Sequence, residues 1–370
     1  MSKIDREASS LKLNTIRRAA VPGIAALALA LTACGSDDDA DASDLSGDLT
    51  IGGASSQESA QNAWIVGFGD VAPDVTVNYD AIGSGGGREN FADGSFPLAG
   101  TDSYLSDEEF DKAKETCGGD PIEIPAYVSP IAVIYNLKGV DDLQLSPEAL
   151  AGIFAGKITK WNDPAIAGTN DGVSLPNAPI TAVHRSDESG TTGNFTDYLT
   201  AVAPDAWTWD SVETWPEDIK GGDAGKGTSG VVDTVTRNEN TIGYADASQA
   251  GGLGQAKVGV GDEFVEPSAE AAAQILAVSP RVDGRADVDM AVDLDHKTTE
   301  AGVYPIVLTS YLVACQQYDD GDTAARVKGY LDYILSDDGQ KLAADEAGSA
   351  PLSKDLQAEA QKIVDKIAAS

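Results

Sequence analysis

Three times in this chain, a short run of β-branched or aromatic residues leads into a turn of glycine and serine and then into a helical pattern. The turns are IGGASSQE at 51–58, IGSGGGR at 82–88 and HRSDESGTTG at 184–193. Such a turn leaves amides unpaired at a helix N-terminus and adds hydroxyl donors, which is typical of anion sites. Helix capping alone explains a single turn. Three turns in one chain favour an anion-binding function.

The rest of the chain repeats the same alternation of strand and helix. Ser106 with Glu109 forms a capping box, Ser146 precedes a helix-starting proline, and 352–367 predicts a final amphipathic helix. Ser55 is expected to cap the helix after the first turn. Repeated strand–helix units indicate an α/β fold with mostly parallel sheets. The strand-like runs lie at 49–51, 75–79, 122–135, 180–183 and 303–314.

Length and charge exclude several classes of protein. The 370 residues are enough for about two domains, and 42% hydrophobic with 23% charged residues is ordinary globular usage. Asp and Glu number 60 against 25 Lys and Arg, a net charge of −35. A polyanion would be repelled along most approach paths, so we expect no nucleic-acid partner.

The N-terminus predicts export and a lipid anchor. A basic leader precedes the apolar run 19–33, which is too short to span a bilayer comfortably, so 1–33 is interpreted as a signal peptide. Leu-Thr-Ala before Cys34 resembles the lipobox of bacterial lipoproteins, which predicts an acylated Cys34 on the outer side of the cell membrane. The alternative is an ordinary secretory signal with a chance cysteine. The acidic segment 34–47 is expected to act as a tether.

Two cysteines remain after Cys34. An even number in an oxidising compartment favours a disulfide between Cys117 and Cys315, and two buried free thiols are the alternative.

Several segments together resemble the PstS family, the periplasmic phosphate-binding proteins of phosphate ABC importers. The resemblance implies a two-lobed periplasmic-binding-protein fold (type II), each lobe a mixed sheet flanked by helices, with the ligand in the cleft between lobes. It places 48–136 and 303–370 in lobe one and 137–302 in lobe two. The segments that carry it, besides the turn at 51–58, are NYDAIGSGGG (78–87), AGTDSYLSDEEF (99–110), AGIFAGKITKWNDPAIA (151–167), HRSDESGTTGNF (184–195), GKGTSGV (225–231) and IGYAD (242–246).

The resemblance also implies a function and a set of contacts. It implies a monomer that binds inorganic phosphate and delivers it to the permease subunits of an ABC importer, without cofactor, metal or catalytic residue. Asp187 resembles the carboxylate that orients the clamping arginine. This sequence departs from the family at the first turn, where Ser-Ser stands in place of the frequent Thr-Phe. The implied phosphate contacts are Ser55, Ser56, Ser84, Asp102, Arg185, Ser189, Gly190 and Thr191.

Asp102 gives a physical reason for selectivity. Hydrogen phosphate carries a proton at neutral pH and sulfate does not, so a buried carboxylate accepts a hydrogen bond from the first but meets only lone pairs on the second. Outside the family resemblance, Asp102 is interpreted as an exposed turn residue. A surface arginine is the alternative for Arg185, but its position after an apolar strand and just before a donor-rich turn favours a bidentate clamp.

Two other functions fit the sequence less well. A different oxyanion in the same fold is disfavoured by the carboxylate at Asp102. A secreted phosphatase-like hydrolase is suggested by His184 near Ser189, but the chain has no G-x-S-x-G motif and only two histidines, His184 and His296. We therefore expect no enzyme, and a structural role for His184 at its strand end.

Overall fold

The computed structural model describes residues 42–370, with the side chains of residues 277 and 278 left out. The predicted signal peptide 1–33 and Cys34 lie outside the described residues. The strands are β1 (Ser46–Gly53), β2 (Asp74–Asp80), β3 (Leu98–Thr101), β4 (Ile122–Asn136), β5 (Gln144–Leu145), β6 (Thr181–Arg185), β7 (Asp223–Gly225), β8 (Thr241–Asp246), β9 (Gly254–Gln255), β10 (Lys257–Val260), β11 (Glu263–Val265), β12 (Val307–Ala314), β13 (Gln317–Tyr318) and β14 (Ala368–Ala369).

Helices alternate with these strands along most of the chain. Short 3-10 helices lie at Ala42–Asp44, Ser55–Gln57 and Ala247–Gln249. The α-helices are α1 (Glu58–Val71), α2 (Ser84–Ala92), α3 (Asp107–Cys117), α4 (Pro147–Phe154), α5 (Pro164–Ala167), α6 (Gly190–Val202), α7 (Gly227–Arg237), α8 (Ala269–Val278), α9 (Gly321–Leu335), α10 (Asp337–Ala347) and α11 (Lys354–Val364).

A nine-stranded mixed sheet organises the fold. Its order is β2-β1-β3-β12-β4-β8-β6-β7, with β9 also paired to β4. Neighbours β1, β2 and β3 pair in parallel, as do β8, β6 and β7, whereas β12 and β4 run antiparallel to their neighbours. The α/β class is confirmed, and the antiparallel strands at the centre make the sheet more mixed than the strand–helix repeat predicts.

The long strand β4 joins two parts of this sheet. Residues 122–130 of β4 pair with β12, and residues 131–136 pair with β8. We call β2, β1, β3, β12 and 122–130 the first half-sheet. Residues 131–136 with β8, β6, β7 and β9 form the second half-sheet. All residues of β4 except Asn136 are buried, which explains its long apolar run.

Local signals set several helix starts as expected. Ser106 and Glu109 form the predicted capping box of α3, and the Ser146 side chain caps α4. Ser55 does not cap α1, which begins at Glu58 without a side-chain cap, because the Ser55 hydroxyl accepts the amide of Thr228 instead. Strand β12 begins at Val307 rather than 303, since Pro305 has no amide to donate to a ladder.

Packing and one cross-link hold these elements together. Trp64 and Phe68 of α1 pack in the core with Tyr127 and Tyr330. Cys117 and Cys315 form a disulfide with Cα atoms 5.2 Å apart, joining the end of α3 to the residue after β12.

Two observations bear on the predicted domain boundaries, which stay a prediction. Leu45 is buried and β1 begins at Ser46, inside the segment 34–47 predicted as a tether. The amide of Glu123 in β4 donates to Val288, within the range 137–302 assigned to lobe two, although Glu123 lies in the first half-sheet.

Within residues 42–370, no helix is long and apolar enough to cross a membrane.

Candidate functional site

The predicted ligand residues meet where the two half-sheets join. Strand β3 runs parallel to residues 122–130 of β4, and β8 runs antiparallel to residues 131–136, so the carboxyl ends of both strands point to the middle of β4. Because β1, β2 and β3 are parallel, the turns after β1 and β2 lie at the same edge of the sheet as the end of β3. For the same reason, the turns after β6 and β7 lie at the same edge as the end of β8. Carboxyl ends of parallel strands are the usual ligand edge of an α/β sheet.

Backbone hydrogen bonds connect the turns of the first half-sheet. The amide of Ala54 donates to Gly100 at 2.9 Å, and the amide of Gly83 donates to Gly53 at 2.9 Å. Gly53 and Gly83 have φ angles of +144° and +98°, which favour glycine. The glycines of the sequence motifs thus let three chain segments approach closely.

Asp102 lies at the centre of the site and is 2% exposed. Its Oδ2 accepts hydrogen bonds from Ser56 Oγ at 2.5 Å and Thr191 Oγ1 at 3.0 Å, and its Oδ1 accepts one from Ser310 Oγ at 2.9 Å. Burial raises the pKa of the Asp102 carboxyl above its ordinary value, and these hydroxyl groups offset part of the rise. Asp102 is therefore a buried carboxylate surrounded by donors, not an exposed turn residue.

The first turn is fixed by the second half-sheet. Ser55 Oγ accepts the amide of Thr228 at 3.0 Å, and the Gln249 side chain donates to the Ser55 carbonyl at 2.8 Å. Both Ser55 and Ser56 are buried. Contacts from α7 and from the 3-10 helix after β8 thus hold the turn that follows β1.

Arg185 is held by Asp187 in a two-point contact. Arg185 Nε donates to Asp187 Oδ1 at 2.8 Å and Nη2 to Oδ2 at 2.5 Å, while the Gly227 amide also donates to Oδ1 at 3.0 Å. Partial burial raises the pKa of the Asp187 carboxyl, but Arg185 outweighs this effect and holds that pKa below its ordinary value. Asp187 therefore fixes the orientation of the buried guanidinium, as the resemblance predicts.

The third turn presents the N-terminus of α6. The Ser189 hydroxyl accepts the amide of Thr192 at 3.2 Å and caps the helix. The amides of Gly190 and Thr191 are in the first turn of α6, where helix geometry offers no carbonyl partner. Thirteen residues of helix add a positive partial charge at this end.

The two half-sheets approach each other closely at Gly190. A Cβ atom added there would lie 2.8 Å from Ser84 Oγ and 2.9 Å from Asp102 Cβ. Asn194, one turn further along α6, donates from Nδ2 to the Asp102 carbonyl at 2.8 Å. Only a glycine leaves room for α6 to come this near to Ser84 and Asp102.

All eight predicted ligand residues are therefore buried at one place, together with Asp187 at its rim. Sequence reasoning missed Ser310, Thr228 and Asn194. Ser310 lies inside the apolar strand β12, where no local pattern marks it. Thr228 and Asn194 fall within the segments GKGTSGV and HRSDESGTTGNF that carried the resemblance.

The site offers hydrogen-bond donors and a carboxylate rather than a nucleophile with a base. His184 Nδ1 contacts the Arg185 carbonyl at 2.8 Å, and its ring stacks on Trp215 at 4.7 Å. Burial lowers the pKa of His184, and the residue has the structural role predicted for it. No group of three or more His, Cys, Asp or Glu side chains in residues 42–370 is arranged to hold a metal ion.

Comparison with known proteins identifies the family. The sequence model of the PBP superfamily domain matches residues 38–338. A protein of Mycobacterium bovis named "Phosphate-binding protein PstS2" is 33% identical over 367 residues, covering 94% of this chain and 98% of that protein. The "Phosphate-binding protein PstS 2" of Mycobacterium tuberculosis is 32% identical with the same coverage. The chain therefore belongs to the PBP superfamily and, within it, to the PstS family.

Solved structures support the same fold. The structure of a "high affinity periplasmic phosphate-binding protein (PfluDING) bound with phosphate" aligns with a TM-score of 0.69 at 21% identity, over 85% of this chain and 93% of that one. This likeness confirms the predicted two-lobed α/β fold.

Proposed function

We propose that this chain binds inorganic phosphate outside the cytoplasm, as hydrogen phosphate, and delivers it to the permease of an ABC importer. The observation that carries the proposal is the buried Asp102 carboxylate among hydroxyl donors at the carboxyl ends of both half-sheets. An ionised carboxylate has about four acceptor positions, and three hydroxyls occupy three of them. The remaining position accepts the proton of hydrogen phosphate.

The other groups of the site complement a compact dianion. Arg185 supplies a fixed positive charge, and α6 supplies the amides of Gly190 and Thr191 together with its dipole. Ser55, Ser84 and Ser189 supply hydroxyl groups, and Ser56, whose hydroxyl donates to Asp102, supplies its backbone amide. Membership of the PstS family and the likeness to a phosphate-bound structure support this ligand.

The two half-sheets correspond to the two proposed lobes except at residues 131–136 of β4, which pair within the second half-sheet but fall in the range of lobe one. Lobe one comprises 48–136 and 303–370, and lobe two comprises 137–302, with phosphate in the cleft between them. Closure brings Ser55, Ser56, Ser84 and Asp102 of lobe one against Arg185, Ser189, Gly190 and Thr191 of lobe two. Hydrogen bonds from Thr228 to Ser55 and from Thr191 to Asp102, which cross from one half-sheet to the other, support this division.

The proposed setting is the outer face of the cell membrane, where the protein acts as a monomer. The basic leader and the apolar run 19–33 support a cleaved signal peptide, and the small residues before Cys34 support acylation at that thiol. Labelled palmitate added to growing cells should be incorporated into the wild-type protein. A Cys34→Ala variant should remain unlabelled and leave the membrane fraction, and equal labelling of both would contradict the anchor.

An arginine exchange tests the binding function. Arg185→Gln removes the charge that Asp187 orients, so we expect the phosphate dissociation constant, measured by calorimetry, to rise at least about 100-fold. Arg237→Gln is the matched control, because Arg237 is an exposed arginine of α7 paired with Asp233 far along the helix from Gly227. Unchanged phosphate affinity in Arg185→Gln would contradict the proposed site.

Turnover distinguishes binding from hydrolysis. A binding protein should leave a chromogenic phosphate ester intact, even at high protein concentration. Release of the chromophore by wild-type protein, abolished in Ser189→Ala, would instead support a hydrolase.

A further inference from the structure

Arg88 is a second buried arginine beside the site, and each of its three guanidinium nitrogens donates a hydrogen bond to a protein group. It lies on α2 and is 3% exposed. Its Nε donates to Glu109 Oε1 at 2.7 Å, its Nη1 to Thr101 Oγ1 at 3.0 Å and its Nη2 to Glu213 Oε2 at 2.6 Å. With these donors engaged, Arg88 is not arranged as a direct ligand of an anion.

One of these contacts supports the segment that presents Asp102. Thr101 Oγ1, which accepts from Arg88, donates to the Ser103 carbonyl at 2.6 Å and accepts the Ser103 amide at 3.3 Å. Asp102 lies between these two residues. Arg88 thereby fixes the local turn on both sides of the buried carboxylate.

A different contact reaches the opposite side of the site. Glu213 follows α6, in the chain of the second half-sheet, and its carbonyl accepts the amide of Ser189 at 3.1 Å. Glu188, next to Ser189, also approaches Arg88 Nη2 at 3.5 Å. One guanidinium therefore connects the Asp102 turn with the Ser189 turn.

The contacts of Arg88 with Glu213 and Glu188 depend on how closely the two half-sheets approach each other. Arg88, Glu109, Glu188 and Glu213 line one cavity of about 420 Å³ beside Asp102. If the half-sheets separate, Arg88 keeps Glu109 and Thr101 but loses Glu213 and Glu188. If Arg88 is removed, three carboxylates face one another across the cleft without a counter-charge, which favours opening.

We propose that Arg88 and Glu213 form a clasp, in which Arg88 is a positioning residue that aligns the two ligand turns and slows the release of phosphate. The clasp rests on the proposed phosphate-binding function. Burial by itself lowers the pKa of the Arg88 guanidinium, but Glu213 and Glu109 raise it overall, so the clasp keeps its charge. A contact made only on closure acts mainly on the dissociation rate of the ligand.

Phosphate release from four proteins tests the clasp. Radiolabelled phosphate is chased with excess unlabelled phosphate from wild type, Glu213→Gln, Arg88→Gln and the double variant. Glu217→Gln is the matched control, an exposed glutamate of the same segment. We expect Glu213→Gln to release phosphate about tenfold faster with an association rate within about twofold of wild type, and Glu217→Gln to behave as wild type.

The double variant separates a clasp from two independent structural effects. If Arg88 and Glu213 act through each other, the double variant releases phosphate about as fast as Arg88→Gln alone. Additive effects, or wild-type release from Glu213→Gln, would overturn the clasp. Wild-type protein that binds no phosphate would overturn the proposed function instead. In that case, urea unfolding of the same four proteins tests the contact itself. Coupling between Arg88 and Glu213 in the free energy of unfolding would support the clasp, and additive effects would overturn it.

Discussion

The chemistry of the site depends on one buried carboxylate, a group with the same sign of charge as the proposed ligand. Asp102 accepts from three hydroxyls and lies close enough to Arg185 for that charge to lower its pKa, although burial raises the pKa overall. A negative charge placed among donors rejects an anion that has no proton to give, because two sets of lone pairs then face each other. The proposed selectivity thus depends on a single residue.

Asp102→Asn should weaken discrimination between phosphate and sulfate. The amide Nδ2 can donate to a sulfate oxygen, and the repulsive charge is gone, so we expect the ratio of sulfate to phosphate dissociation constants to fall at least about 100-fold. Calorimetric titration with each anion measures the ratio. Because the pKa of Asp102 is raised, acidification should shift wild type towards the behaviour of the variant.

The control for that exchange is Asp233→Asn, which removes a carboxylate from the exposed pair with Arg237. Its anion ratio should match that of wild type. Rejection of sulfate that persists in Asp102→Asn would locate selectivity at another group.

Asp246 predicts a pH dependence of stability. Burial, with a smaller contribution from Asp102, raises the pKa of Asp246 to about 6, above the value near 4 of an unfolded chain. The stabilising proton is fully bound below about pH 4 and is lost as the pH rises through about 6. Asp246→Asn has no such proton to lose and keeps the acceptor for the Ser248 amide. Its free energy of unfolding relative to wild type should therefore rise by roughly 2–3 kcal/mol between pH 4 and 7.

Urea denaturation of both proteins at several pH values checks this dependence. Other titrating groups are common to the two proteins and cancel in the difference. A difference in unfolding free energy that stays constant from pH 4 to 7 would show that Asp246 is ionised across this range.

At the scale of elements, the sequence predicts the turns far better than the groups that come to them from a distance. The glycine and serine turns carry local signals, since capping and close backbone approach require particular residues at fixed positions. Ser310 carries none, because a serine in an apolar strand looks the same whether it faces a ligand or a neighbouring strand. Glu213 lies in an irregular segment, and its pairing with Arg88 depends on how the half-sheets meet. The approximate bounds of β1, β2, β4 and β6 were predictable from their apolar runs.

One methyl group added at Gly190, at the start of α6, should block the close approach of this helix to the turns of Ser84 and Asp102. A Cβ at Gly190 would lie 2.8 Å from Ser84 Oγ and 2.9 Å from the Ser103 amide, although alanine itself is compatible with the first turn of α6. Overpacking of this kind costs about 1–3 kcal/mol, so we expect Gly190→Ala to weaken phosphate binding about 10- to 100-fold. Calorimetry gives the affinity and circular dichroism checks that the helices are intact.

Gly119→Ala is the matched control for this exchange. No heavy atom lies within 4 Å of a Cβ added at Gly119. Its phosphate affinity should equal that of wild type. Wild-type affinity in Gly190→Ala would mean that the turns of Ser84 and Gly190 do not need to approach this closely for binding.

At the scale of the whole molecule, the net charge opposes the proposed ligand. The predicted removal of residues 1–33 would take away five basic and two acidic groups, leaving 20 basic against 58 acidic groups and a net charge of −38. Fixed donors act on phosphate at short range, whereas the diffuse field of the surface is screened beyond roughly 8–10 Å at physiological salt. We therefore expect the fixed donors to set the affinity for phosphate and the surface charge to limit its association rate.

Added salt should speed phosphate association at constant pH. Screening reduces the repulsion between the acidic surface and the incoming dianion, so a severalfold increase in association rate is expected when ionic strength rises from about 0.01 to 0.15 M. Stopped-flow measurement of intrinsic tryptophan fluorescence follows the rate. An association rate that falls with salt would show that the phosphate approaches through a locally positive path.

The most direct test of phosphate binding and of its selectivity is calorimetric titration of the purified, phosphate-stripped protein with phosphate, arsenate and sulfate. We expect tight one-to-one binding of phosphate and of arsenate, which also carries a proton at neutral pH, with no heat from sulfate. Sulfate binding as tight as phosphate would contradict the role given to Asp102. Absence of phosphate binding would contradict the proposed function itself, including the roles of Arg185 and the turn at Gly190.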